Sequence, residues 1–166
     1  MAYLPIADYG IIGNMHTVAL IGKNGSIDFF CPRKFDDATI FAAILDDEKG
    51  GCFCIHPQSG ATLKQFYWPD TNVLITRFLC EDGVVEITDF MPVGIAADVQ
   101  RENWLVRIVK MVRGAMTLDI TIQPAFNYGR DPHEVQIDDN GVIFTSETYR
   151  FAVSTSVAFQ EADGAA

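Results

Sequence analysis

At 166 residues with 49% hydrophobic content, the chain is long enough to bury one core and too short for two full domains; no apolar run reaches the roughly 18 residues that a membrane-spanning helix needs. The formal net charge of −10, from 12 basic and 22 acidic residues with no cluster of Lys or Arg, disfavours a nucleic-acid partner, because phosphate backbones are bound by cations that displace counterions. These values predict a soluble domain with neither a membrane nor a nucleic acid as partner.

Taken in chain order, the opening "MAYLPIADYGIIGN" has no cationic stretch ahead of its apolar residues and carries Asp8 early, which is unlike a secretory leader. With Cys31, Cys52, Cys54 and Cys80 set in apolar or strand-like stretches, reduced thiols and a cytoplasmic location are expected. The Gly10 and Gly13 pair lacks the Lys-Ser/Thr of a phosphate loop and reads as a tight backbone turn. A hairpin is predicted from 17–21 and 26–30 about "KNG". In 37–49, Ile40, Phe41, Ile44 and Leu45 recur at helical spacing, with Asp36 or Asp37 to cap the start and Gly50 to end it, so one short helix is expected there.

Further on, 73–80 and 84–90 form a second hairpin about "EDG", and 92–102 is the long connection that follows. Segment 104–112 is apolar on both faces apart from Arg107 and Lys110, as for a strand held between layers, and pairs in a third hairpin with 116–123. In 116–123, Met116, Leu118, Ile120 and Ile122 alternate with polar residues, the mark of a half-buried strand. A fourth hairpin joins 134–137 to 142–146 about "DNG". Segment 149–158 reads as a strand with no successor, since "FQEADGAA" is turn chemistry. The pattern predicts an all-β fold, an antiparallel two-sheet β-sandwich incomplete at its C-terminus, with an unpaired edge through which copies of the chain could self-associate.

Chemistry-bearing residues are sparse in pattern. His16, His56 and His133 lie far apart and none stands beside a zinc-type Cys pair, so no metal and no cofactor is expected. Ser26 and Ser154 lie outside any Gly-x-Ser-x-Gly elbow. The acidic runs Asp36/Asp37, Asp46/Asp47/Glu48 and Asp138/Asp139 could supply a glycosidase pair by composition, but each falls at a turn or helix end, where Asp serves the backbone. "FYWPD" at 66–70 could offer Phe66 and Trp68 on one strand face as a sugar-stacking platform, the reading of a carbohydrate-binding module.

Four segments, "ADYGIIGNMHTVALIGKNGSIDFFC", "KFDDATIFAAILDDEKGG", "FYWPDTNVLITRF" and "GVVEITDFMP", continued by "PAFNYGR", together resemble the N-terminal β-sandwich domain of glycoside hydrolase family 15 proteins, the glucoamylase and trehalase-like group. The resemblance implies that 1–166 is one partial domain, followed in full-length relatives by an (α/α)6 barrel that hydrolyses α-glucosidic bonds with inversion. The family's two catalytic glutamates belong to that barrel, so no catalytic residue carries over to this sequence. The implied role is accessory: the sandwich supports the barrel, its partner, and meets the α-glucoside only indirectly. Asp8, Tyr9, Asn14, Asp28, Arg33, Phe35 and Asp36 are the candidates for that contact, because polar and aromatic residues there exceed what a core needs.

Overall fold

The computed structural model describes residues 3–93, 104–162 and 164–166. Its strands, in chain order, are β1 (Tyr9–Gly13), β2 (Val18–Gly22), β3 (Ser26–Phe30), β4 (Cys52–Pro57), β5 (Thr62–Tyr67), β6 (Leu74–Leu79), β7 (Gly83–Phe90), β8 (Val106–Gly114), β9 (Leu118–Gln123), β10 (His133–Asp138), β11 (Gly141–Ser146) and β12 (Arg150–Ser154). All pairings are antiparallel, so the all-β expectation holds. They form three sheets rather than two, in the orders β1-β2-β3-β4-β9, β5-β6-β7-β8 and β10-β11-β12.

Register explains how three sheets share one interior. Pairing places Ile12, Ala19, Ile21, Ile27, Phe53, Ile55, Ile120 and Ile122 on one face of the first sheet. Part of that face meets Val142, Phe144 and Phe151 of the third sheet, and part meets Phe78, Val85 and Ile87 of the second. Phe53 and Ile120 pack against both clusters, which joins the two cores. The second and third sheets thus divide one layer between them.

Three of the four predicted hairpins form: β2 with β3, β6 with β7, and β10 with β11. The one expected from 104–112 and 116–123 does not. β8 pairs with β7 and β9 pairs with β4, so the chain leaves one sheet for the other at Gly114 instead of folding back. Gly114 holds φ 68, and a Cβ there would press on the Asp82 carbonyl oxygen. β8 is also not covered on both faces: Ile108, Val109, Met111 and Val112 are all exposed, and β8 is the last strand of its sheet among the described residues.

The helix expected over 37–49 is absent. Phe30 and Phe41 exchange an extended bridge, with Phe30 N–H donating to Phe41 O at 2.9 Å and Ile40 N–H to Phe30 O at 2.9 Å. Ala42 N–H then donates to Gly50 O and Ile44 N–H to Asp28 O, which leaves two separate turns, one in which Leu45 and Asp46 N–H donate to Ala42 O and one in which Gly50 N–H donates to Asp46 O. Tertiary backbone bonds outweigh the helical spacing of the apolar residues. Short helical pieces occur elsewhere, as a 3-10 turn at Ile6–Asp8 and a turn at Phe126–Gly129. Most of the connection expected over 92–102 lies outside the described residues. At the other end, β12 pairs with β11 and, among the described residues, no strand follows it in that sheet, while Ala166 exchanges hydrogen bonds of 2.7 and 2.9 Å with Ile122 of β9.

Candidate functional site

Period-two alternation in β3, β4 and β9 sends the apolar residues inward and a row of polar and ionisable ones outward. Ser26, Asp28, Cys52, Cys54, His56 and Asp119 therefore occupy the outer face of the first sheet. Asp28 stands where the β2–β3 register slips, opposite the step from Leu20 to Ile21, as the extra residue of a bulge that turns its carboxylate toward β1. Tyr9 Oη donates to Asp28 Oδ2 at 2.7 Å and Ser26 Oγ donates to Asp28 Oδ1 at 2.5 Å. Asp28 is 8% exposed, so these donors replace the water it gives up. Burial, reinforced by the hydrogen bond to Asp28 and by its charge, pushes the Tyr9 phenol above its ordinary value.

The same face brings together a thiol, an imidazole and a carboxylate that sequence reasoning did not assemble. Cys54 Sγ is 3.4 Å from His56 Nδ1, and His56 Nε2 is 3.8 Å from Asp119 Oδ2. The order matches a nucleophile, base and orienting acid, but the chemistry does not. Burial foremost, then the Cys52 thiol, pushes Cys54 up to about 11, so the sulfur stays protonated and inert at neutral pH. Burial raises Cys52 as well. Among the described residues no group of three His, Cys, Asp or Glu converges to hold a metal ion.

A second constellation gathers at one end of the first sheet. The pairings Gly13 with Val18 and Ala19 with Phe30 place the β1–β2 loop and the segment after Cys31 at the same end, and Thr17 Oγ1 ties them by donating to Cys31 O. Asn14 Oδ1 accepts from the N–H groups of His16 and Thr17, both at 3.0 Å. Arg33 donates to Asp37 at 3.0 Å and to Tyr149 Oη at 3.0 Å, with its guanidinium 4.7 Å from the Tyr149 ring centroid. Phe35 and Asp36 are exposed beside it. Asp131 then links Thr148 to Asn127, and Asn127 N–H donates to Thr39 O.

Backbone strain marks this cluster. Asn127, Tyr128 and Gly129 hold φ of 52, 60 and 73, a left-handed turn in which Tyr128 is the bulky exception. It persists because Asn127, Gly129 and Arg130 N–H groups are all bonded, and it leaves the Tyr128 ring exposed. Nothing in "PAFNYGR" as a composition signals positive φ at Tyr128.

The seven sequence candidates thus divide. Tyr9 and Asp28 bond directly; Asn14, Arg33, Phe35 and Asp36 share one sheet end; Asp8, 3.6 Å from Lys23, lies beyond the opposite end of β1, about 20 Å from Asn14 at strand spacing. Of the alternative pair, Phe66 ends under the Arg77 guanidinium at 5.3 Å, and Trp68, 60% exposed, follows β5 in the turn closed by its N–H to Val73 O. Among the acidic runs, Asp46 accepts from the Glu48 and Lys49 N–H groups, which hold its carboxyl below the usual range, and Asp138 caps Asn140.

Fold and site together define an antiparallel β domain in which Asp28, Asp46, Asp119 and Asp138 are engaged with their own backbone and neighbours. The family model described as "Trehalase-like, N-terminal" matches residues 2–162, and the chain belongs to that family. It is 33% identical over 156 residues to a trehalase of Thermoplasma volcanium, covering 92% of this chain and 25% of that protein. Trehalase 1 of Sulfolobus acidocaldarius is 34% identical over 145 residues, 87% of this chain and 24% of the relative. A trehalase of Mycolicibacterium smegmatis is 29% identical over 141 residues, 76% and 21% respectively. The chain therefore spans about a quarter of the length of the curated relatives it matches. No solved structure matches it. No helix among the described residues is long and apolar enough to cross a membrane.

Proposed function

We propose that this chain is the non-catalytic N-terminal domain of a cytoplasmic glycoside hydrolase of family 15, acting on α-glucosidic bonds in the manner of a trehalase or glucoamylase. In this reading the domain carries and contacts an (α/α)6 barrel that supplies the catalytic acids. One observation carries the proposal: the match to the N-terminal family runs the length of the chain, while the same chain covers only about a quarter of each relative named trehalase. The inert state of the Cys54 thiol and the capping work of Asp46 and Asp138 support the absence of chemistry here. On this reading the barrel contact falls at the sheet end bearing Asn14, Arg33, Phe35, Asp36 and the strained Tyr128, with Tyr9 and Asp28 bonded to each other on the outer face of the same sheet.

The purified chain, assayed on trehalose and on an aryl α-glucoside, is expected to give no hydrolysis above background. Turnover that disappears on Asp119→Asn or Asp36→Asn would overturn the reading. The exposed ring of Trp68 favours a second one, a carbohydrate-binding module. Following tryptophan fluorescence while adding trehalose or maltooligosaccharides decides between them: a saturable shift lost in Trp68→Ala establishes the module, and a flat titration at millimolar sugar removes it.

A further inference from the structure

We infer that β8 is an interface between two copies of this chain, which pair their β8 strands antiparallel about a dyad at Val109 and so continue the second sheet from one copy into the other. The inference stands apart from the enzyme assignment, since it concerns only how this chain meets itself.

β8 is the longest strand, Val106–Gly114, and its outer edge has no strand beside it among the described residues. Edges of this kind are templates for another strand unless blunted. The first sheet blunts both of its edges. On β1, Tyr67 Oη accepts from Ile11 N–H at 2.8 Å and donates to Ile11 O at 2.9 Å, while Asn72 donates to Gly13 O. On β9, Ala166 occupies Ile122. β5 carries Lys64 on its exposed positions, and β12 is only five residues long. β8 instead exposes Ile108, Val109, Met111 and Val112, two of them at about half of their surface. Of the two cations in its regular run, Arg107 is 4% exposed and paired with Asp89, which leaves Lys110, opposite Glu86 on β7, as the exposed one, with Arg113 exposed beyond the bulge.

Register follows from parity, bulge and charge. In a symmetric antiparallel pair, opposed residues lie on one face, so the dyad must pass through a residue. The β7–β8 register slips between Val84 and Val85, which leaves Val112 as the extra residue and Val106 to Met111 as the regular run. A dyad at Lys110 would set Lys110 against its own copy and Arg107 against Arg113. A dyad at Ile108 would leave Met111 outside the ladder. A dyad at Val109 opposes Val109 to Val109, Ile108 to Lys110 and Arg107 to Met111, which keeps Val106 to Met111 within the ladder and sets no like charges face to face.

Sedimentation and light scattering on the 166-residue chain across a concentration series test this, with two substitutions at one exposed site. Ile108→Glu opposes a carboxylate to the partner copy's Lys110 twice per dimer, and Ile108→Lys opposes an ammonium to it twice. The chain is expected to dimerise, Ile108→Glu to lower the dimer dissociation constant several-fold and Ile108→Lys to raise it several-fold, with the difference shrinking at high salt. Equal thermal midpoints of the two variants under dilute, monomeric conditions confirm that both fold. A chain that stays monomeric throughout, two variants that weaken association alike, or a dimer indifferent to both overturns the inference.

Discussion

Asp28 is a buried carboxylate held by two neutral donors, and the neighbours that satisfy it also set a pH limit. Tyr9 and Cys54 are both kept neutral by the fold, with pKa values above their ordinary 10.0 and 9.0. Unfolded chain therefore sheds these protons first as pH rises, and stability falls wherever the unfolded state holds fewer protons than the native one. The contribution is whole below about pH 9 and is lost as pH climbs through the Cys54 value of about 11 and the higher one of Tyr9. Urea midpoints are expected to be level near neutrality and to decline steadily above pH 9, with a shallower decline in Cys54→Ala. Tyr9→Phe, which strips one donor from Asp28, is expected to cost about 1–2 kcal/mol at neutral pH. Sequence reasoning reached Tyr9 and Asp28 because two polar residues amid apolar strands stand out. It missed Ser26, His56 and Asp119 as their neighbours, since Asp119 joins His56 only through the pairing of β4 with β9, far apart in the chain.

At the level of elements, local turn chemistry was legible and long-range pairing was not. "KNG", "EDG" and "DNG" each close the hairpin they predict, since each tight turn is fixed by the few residues it contains. "RG" at 113–114, between the segments 104–112 and 116–123 expected to pair, offers the same kind of signal and is a crossing between sheets. Gly114 has the left-handed φ a hairpin would also demand, so the local signal is the same and only the partner strand differs. Gly114→Ala is expected to destabilise the fold by about 2 kcal/mol or more, from positive φ and the clash with the Asp82 carbonyl together, read as a lowered urea midpoint. The helix expected at 37–49 failed for a related reason. Ile40 and Phe41 are buried as that pattern requires, but Leu45 is 61% exposed, because the segment runs beside the end of β3 rather than along a helical axis.

For the whole molecule, all-β architecture could be read from spacing, and the splitting of one layer into two sheets could not. One polar side chain that ties the second sheet to the first is Arg107. From β8 it pairs with Asp89 at 2.8 Å, donates to Gly25 O at 2.8 Å and Phe53 O at 2.9 Å, and lies over the Phe53 ring at 4.8 Å. In the sequence it is one cation interrupting an apolar strand, with nothing to show that it reaches across layers. Arg107→Met is expected to cost about 3–5 kcal/mol, since Asp89, fully buried, would be left without its counter-ion. Removing both charges with Asp89→Leu on that background should recover part of the loss, which a urea double-mutant cycle measures.

Tyr67 gives the two-layer arrangement a less obvious property. Its phenol, rooted in the second sheet, fills the place of a missing neighbour beside Ile11 in the first, so closing the interior and sealing that flank are a single event. Any fluctuation that parts the layers uncovers greasy side chains and a bare peptide ladder at the same instant. Loss of compactness and the onset of fibril-like stacking on β1 should for that reason share one barrier, and whatever slows the first will slow the second.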